Sequence, residues 1–220
     1  MPKDSGIGAS PKRREDVRFL TGNGNYTDDI NIHGQAYIHF LRSDVAHATI
    51  KAIDTSAAAD MPGVVRIFTG DDFAEVGGVP CGWQVTDRFG EPMQEPRHPV
   101  IAHGKIKHVG EIVAAVIADS LEQARDAAEA IELDLDELPA VVDMKAALAD
   151  GSTKIHDELT SNLCFDWGFV EENKEAVNKA FEDAAHVTSL ELVNQRLVAN
   201  PMEARVAIGD YNRSADEYTL

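Results

Sequence analysis

Residues 103–143 read HGKIKHVGEIVAAVIADSLEQARDAAEAIELDLDELPAVVD. Gly104, Lys105 and Gly110 open the stretch, and the apolar run Ile112–Ala118 follows. The period then changes. Asp119-Ser120 predicts a helix start, because a short side-chain oxygen there accepts a hydrogen bond from an otherwise unpaired amide, and Gln123 completes a capping-box pattern. Leu121, Ala124, Ala127, Ala128 and Ile131 recur at helical spacing, after which Ile131, Leu133 and Leu135 alternate with acids as in a strand. Strand, amphipathic helix, strand is a scaffold, and no chemistry is written in it. The fold class that follows is α+β.

Composition bounds the rest. The chain has 220 residues, enough for one large or two modest domains burying roughly 70% of the unfolded surface. Apolar residues make up 44% and charged residues 26%, as in an ordinary globular protein. A net charge of −18 argues against a nucleic-acid surface, since phosphate neutralisation needs clustered Lys and Arg. No apolar run is long enough to span a bilayer. The first 16 residues, MPKDSGIGASPKRRED, carry charge without an apolar core, unlike a secretory signal. Cys81 and Cys164 lie far apart with no CxxC, which makes a reducing, cytoplasmic setting the default.

Working outward, residues 1–12 form a Gly-, Ser- and Pro-rich lead-in. Gly22-x-Gly24 has no third glycine and no flanking strand and helix, so a tight turn accounts for it better than a dinucleotide fingerprint. Ala36, Ile38 and Phe40, then Ala48, Ile50 and Ile53, predict two strands around a turn at 42–47. Met61-Pro62-Gly63 is turn chemistry, and residues 64–69 are a β-branched strand. Residues 71–99 lack periodicity and read as a long surface excursion. A short helix is expected at 144–148, a linker at 153–162 and a helix at 171–185. Residues 187–198 and 204–208 read as a hairpin, and Tyr218 begins another strand. The pattern is interrupted at Leu220, an end expected of the N-terminal part of a longer polypeptide.

Geometry decides among the candidate sites. His98, His103 and His108, with Glu111 nearby, recur every five residues, a spacing that divides ligands between strand faces and suits a helix face poorly. Turn and surface roles fit them better than a metal site. Two cysteines cannot hold an iron–sulfur cluster, which usually takes four thiolates. Asp28-Asp29 and Asp71-Asp72 are neighbours that diverge rather than converge across a cleft, so turn and cap roles are expected. Ser43 precedes His47 without a G-x-S-x-G elbow. Glu122, Asp126, Glu129, Glu132, Asp134 and Asp136 form a solvated acidic face, and anion binding at the helix start is not expected beside it. From the residues alone, no active site is visible.

The motifs nevertheless have a family likeness. Arg14-x-Asp16-x-Arg18-Phe19-Leu20-Thr21-Gly22-x-Gly24-x-Tyr26-x-Asp28-Asp29 resembles the opening of molybdenum hydroxylase large subunits. So do Leu41-Arg42-Ser43-x-x-Ala46-His47-Ala48, Met61-Pro62-Gly63-Val64-Val65-x-Ile67-Phe68-Thr69-Gly70-x-Asp72 and Val109-Gly110-Glu111-x-Val113-Ala114-Ala115-Val116-Ile117-Ala118. Together they resemble the α/β hammerhead domain of the aldehyde oxidase and xanthine dehydrogenase superfamily, most of all the large chain of aerobic carbon monoxide dehydrogenases. The likeness covers about residues 8–220.

The resemblance implies a lead-in at 1–18, a hammerhead domain at 19–143, a linker at 144–165, and the start of a molybdopterin-binding domain at 166–220. Residues 194–205 resemble the beginning of that last region, with Ala204 where the family usually has proline. In such a family the full protein oxidises carbon monoxide, an aldehyde or an N-heterocycle with oxygen from water at a molybdenum centre. An FAD-binding medium subunit and an iron–sulfur small subunit pass the electrons on, in a dimer of heterotrimers. The base glutamate and the metal-side loop lie beyond Leu220 in this scheme, so no catalytic, cofactor-binding or metal-binding residue is carried over. The hammerhead would supply packing surface and subunit contact, and residues 71–99 are a candidate for contact or for lining the substrate funnel, with contact preferred because they hold no clear constellation. The competing expectation is a free-standing, non-catalytic assembly module with the same fold.

Overall fold

The computed structural model describes residues 6–168, 173–195 and 197–220. In chain order the elements begin with α1 (Asp16–Leu20), β1 (Tyr37–Arg42), β2 (Ala48–Asp54), α2 (Ser56–Ala59) and β3 (Val64–Thr69). Next come β4 (Lys105–Ile106), β5 (Ile112–Ala118), α3 (Leu121–Glu129), β6 (Glu132–Glu137) and α4 (Met144–Ala147). The last are α5 (Lys174–Glu182), β7 (Asp210–Asn212) and β8 (Glu217–Thr219). The mixture is α+β. Two compact units hold them: Ala36–Ser189, and Met1–Gln35 with Leu190–Leu220.

The larger unit has two three-stranded antiparallel sheets, ordered β1-β5-β3 and β4-β2-β6. The apolar run of β5 is central to its sheet, as a strand buried on both faces must be, and Val113, Ala114 and Val116 are fully buried. The two strands expected around residues 42–47 both form, but they do not pair with each other. β1 pairs with β5, and β2 pairs with β4 and β6. The strand–helix–strand unit is divided in the same way, since β5 and β6 belong to different sheets. A turn tight enough for a hairpin is absent at 42–47 because Ser43 is tied to the β5 side: its N–H donates to Glu111 O (2.9 Å), and its carbonyl accepts from Gly110 N–H (2.8 Å).

α3 packs across β1 and β5. Its Ala124, Ala127 and Ala128 are buried against Ala114, Val116, Ala118, Ala58 and Ile131, and alanines on the helix allow close approach to the sheet. A second cluster, Ala48, Ala102, Ile106 and Val113, fills the β4-β2-β6 side. Leu41 and Leu133 touch both clusters. Ser120 Oγ caps α3 by accepting from Gln123 N–H (3.2 Å). The Gln123 side chain lies over Gly63, which has φ +81°, so a Cβ at that glycine would strike it. That contact fixes the Met61-Pro62-Gly63 turn against the helix start, and Asp119 N–H donates to Gly63 O (2.9 Å) across the same junction.

Two later expectations need correction. The helix read at 171–185 is described as Lys174–Glu182, with its expected first residues 171 and 172 outside the described set. The hairpin read at 187–198 and 204–208 is not present among the described residues of those segments. The strand pair is instead β7 with β8. Apolar residues such as Leu190, Leu192, Leu197 and Val198 gave the strand signal, but they stand exposed with no face to cover, and Pro201 interrupts any ladder. In the smaller unit, Tyr211 and Tyr218 stack across the β7–β8 hairpin at 4.5 Å, while the Tyr211 hydroxyl donates to Asp216 Oδ1 (2.9 Å).

Candidate functional site

Of the residues singled out from the sequence, His98, His108 and Glu111 lie together and the rest are dispersed. Asp29 Oδ2 accepts from Tyr26 N–H (2.9 Å) and Asp72 Oδ2 from Thr69 N–H (2.8 Å), so each acidic pair sits in a short 3-10 turn with one carboxylate capping it. Gly22 has φ +72°, and a Cβ on Gly24 would come within 2.9 Å of the Phe19 ring. The Gly-x-Gly pair therefore serves a turn under the Phe19–Tyr26 stack. The acidic row of α3 and β6 is exposed throughout.

The three histidines divide. His98 and His108 stack with ring centroids 6.5 Å apart, whereas His103 Nε2 lies 3.3 Å from Asp71 Oδ1. Glu111 is buried and its Oε2 accepts from Lys107 N–H (2.6 Å). Among the described residues no group of three or more His, Cys, Asp or Glu is placed to hold a metal ion.

Ser43 and His47 are both buried, and both are structural ties. Ser43 Oγ donates to Val45 O (2.8 Å). His47 Nδ1 is 3.0 Å from Pro139 O, and because a carbonyl only accepts, Nδ1 carries the proton. His47 O accepts from Leu138 N–H (2.8 Å), so the residue clamps the chain leaving β6. Its Nε2 is buried without a hydrogen-bond partner among the described residues. Close by, Lys105 Nζ meets Asp157 Oδ2 at 2.6 Å, and the hydrogen bond from Lys105 holds the Asp157 carboxyl below its ordinary range. Nothing in the local sequence signals either tie, because both join segments far apart in the chain.

Concave places among the described residues include two near the residues singled out from the sequence. A cleft of about 180 Å³ between the sheets is lined by Ile50–Ile53, Thr69–Asp71 and Ala102–Gly104. It exists because Gly70 lets two segments cross: a Cβ there would collide with the Ala102 carbonyl. No nucleophile with an adjacent base lies in it. The second is a hollow of about 490 Å³ where the 71–99 excursion meets residues 164–167, lined by Cys81, Trp83, Val85, Met93, Phe165 and Trp167. The excursion is held in shape by Arg97, whose guanidinium donates to the Phe73 (3.1 Å), Ala74 (2.8 Å) and Val76 carbonyls. Val79 N–H donates to His98 O (2.7 Å) where the excursion returns.

Comparison with known proteins sets these features in a family. Residues 21–139 match the model described as aldehyde oxidase and xanthine dehydrogenase, a/b hammerhead domain. The nicotine 6-hydroxylase large subunit of Paenarthrobacter nicotinovorans is 35% identical over 218 residues, covering 97% of this chain and 25% of that protein. The carbon monoxide dehydrogenase large chain of Afipia carboxidovorans is 32% identical over 230 residues, covering 99% of this chain and 27% of that one. Among solved structures, quinoline 2-oxidoreductase from Pseudomonas putida 86 superposes with a TM-score of 0.64 at 42% identity, over 72% of this chain and 20% of its own. The chain thus spans about a quarter of the length of these curated relatives. On the match over residues 21–139, it belongs to the aldehyde oxidase and xanthine dehydrogenase a/b hammerhead domain family.

Proposed function

We propose that this chain is the N-terminal portion of a molybdenum-containing oxidoreductase large subunit. The full protein would oxidise carbon monoxide, an aldehyde or an N-heterocycle with oxygen from water, in the cytoplasm. The observation that carries this reading is alignment with named large subunits along nearly the whole chain. On the same reading the domain boundaries are a lead-in at 1–18, the hammerhead at 19–143, a linker at 144–165, and the opening of the molybdopterin-binding domain from 166.

The residues present do not make a molybdenum site. The donor side chains do not converge among the described residues, and Cys81 and Cys164 are free and exposed. No chemical step is therefore assigned to this chain's side chains. What they supply is a stiff two-sheet body and apolar surface for assembly. Ile38 and Phe40 stand exposed on the outward side of edge strand β1, and Val177 and Phe181 stand exposed on α5. We assign these faces to packing within the large subunit and against the FAD-binding and iron–sulfur subunits, which would carry the remaining cofactors in a dimer of heterotrimers.

The test is to express the full reading frame with its neighbouring genes and assay the purified complex for molybdenum, pterin, flavin and iron. Molybdenum and pterin in near-stoichiometric amounts with the large subunit are expected. A stable complex without either metal or pterin would overturn the reading and support a free-standing assembly module.

A further inference from the structure

Residues 152–166 form a strap tied to the rest of the larger unit at several points. Asn162 closes its first part into a loop. The Asn162 amide donates to Ala147 O (3.1 Å) and Thr153 O (2.9 Å), and its Oδ1 accepts from Ile155 N–H (3.0 Å). Leu159 N–H donates to His156 O (3.2 Å) inside the same loop, and Lys154 Nζ donates to Leu159 O (3.1 Å). At the far end, Gln94 N–H donates to Cys164 O (2.8 Å) and Arg88 N–H to Asp166 O (2.9 Å). Between these ties the strap meets β4, where the mostly buried Lys105 amine holds Asp157 Oδ2 at 2.6 Å. His156, the residue before Asp157, has its Nδ1 buried without a hydrogen-bond partner among the described residues.

We propose that protonation of His156 releases this strap from β4, making it a pH-operated latch on the larger unit. Charged groups act on the imidazole from both sides. Lys107 and Glu111 belong to the connection between β4 and β5, and Glu158 to the strap itself. Lys105, Lys154 and His47 act on the neighbouring Asp157, and His108 lies 3.8 Å from Glu111. The balance goes against a charged imidazole. Glu111 Oε2 already accepts from Lys107 N–H (2.6 Å), and Glu158 is half-exposed, so water screens its attraction. Burial is the largest influence on His156 and, with Lys107, lowers its pKa from the ordinary 6.5. Opening the strap returns the ring to water and to that ordinary value. The closed strap is therefore fully favoured above 6.5 and loses favour as pH falls below it. Asp157, lowered from 3.8 chiefly by its hydrogen bond from Lys105, stays ionised in this range, so its ion pair is not the switch. The proposal goes beyond the large-subunit reading and does not depend on it.

The test is amide hydrogen exchange on the 220-residue chain at pH 7.5 and 5.5, each corrected for the intrinsic rate at that pH. The hydrogen-bonded amides of Ile155 and Leu159 flank His156 and report on the strap. In the native chain residues 152–163 should lose protection at the lower pH while residues 112–118 keep theirs, which separates local release from general unfolding. His156→Gln, which keeps a polar amide but takes no proton, should show equal protection over 152–163 at both pH values. Unchanged protection in the native chain, a loss that persists in His156→Gln, or an equal loss over 112–118 overturns the proposal. A second readout needs no variant and decides if the glutamine itself loosens the strap. Exchange at the imidazole C2 position, read by mass spectrometry, gives the titration midpoint of His156 directly. A midpoint below 6.5, with strap protection falling over the same range, supports the latch, and a midpoint at or above 6.5 overturns it.

Discussion

His156 and His39 show how a partly buried imidazole makes a fold sensitive to pH. Burial pushes the pKa of His156 below its ordinary 6.5, and Lys107 acts in the same direction against Glu158 and Glu111. Its Nδ1 is buried, 3.6 Å from Glu158 Oε1 and without a hydrogen bond among the described residues. Burial also lowers His39, helped by Arg125 and Arg42 and opposed by Glu129. A histidine lowered on folding binds its proton more readily in the unfolded chain, so stability is complete above 6.5 and falls as pH drops through that value. Carboxylates act in a lower window: Asp157, lowered from 3.8, loses its contribution only as pH falls towards and below that value. The expected outcome is a thermal midpoint that declines from pH 7.5 to 5.5 in the native chain and declines less in His39→Gln/His156→Gln. Equal slopes in melts followed by circular dichroism would show that neither imidazole is responsible. At this scale little was legible beforehand. The sequence around His47 shows a neighbouring Ser43 and a family-like motif, whereas its clamp on Pro139 links positions too distant for any local pattern to reveal.

At the scale of elements, local rules were readable and pairing was not. The change of period after Ala118 marks the join of β5 and α3, because strand and helix each expose one side of their apolar residues to the core at a characteristic spacing. No such rule says that β1 and β2 enter different sheets; long-range register decides that. The reading at Ser120 succeeded by half. Ser120 Oγ caps the helix, yet Gln123 covers Gly63 instead of completing the box. Ser120→Ala should therefore cost about 1 kcal/mol. Ser120→Asp, which keeps a capping oxygen, should lie within a few tenths of the native value. Urea denaturation checks both, and equal losses in the two variants would mean that the hydroxyl acts otherwise than as a cap.

Over the whole molecule, burial is unevenly distributed, and stability should be too. β5 is hydrogen-bonded on both sides by β1 and β3, with side chains packed into both core clusters. Its amides can exchange only when the larger unit opens as a whole. Residues 187–195 and 197–208 lie outside every helix and strand, and Leu192 and Leu197 are 79% and 92% exposed. They bury too little apolar surface to offset the entropy of ordering, so their amides should exchange at nearly unprotected rates. This contrast also explains why the expected hairpin failed: strand-forming residues become strands when another surface covers them, and none does among the described residues. Hydrogen exchange read by mass spectrometry on the 220-residue chain should show residues 112–118 slowest and 187–208 among the fastest. The sample must be monomeric by sedimentation, because edge pairing between copies would protect the same amides. Similar protection of the two segments in a monomer would contradict this account. If the reading frame extends beyond Leu220 as proposed, repeating the measurement on its full product extends the test, since protection appearing over 187–208 there, with β5 unchanged, would identify those exposed leucines and valines as surface that the rest of a large subunit covers.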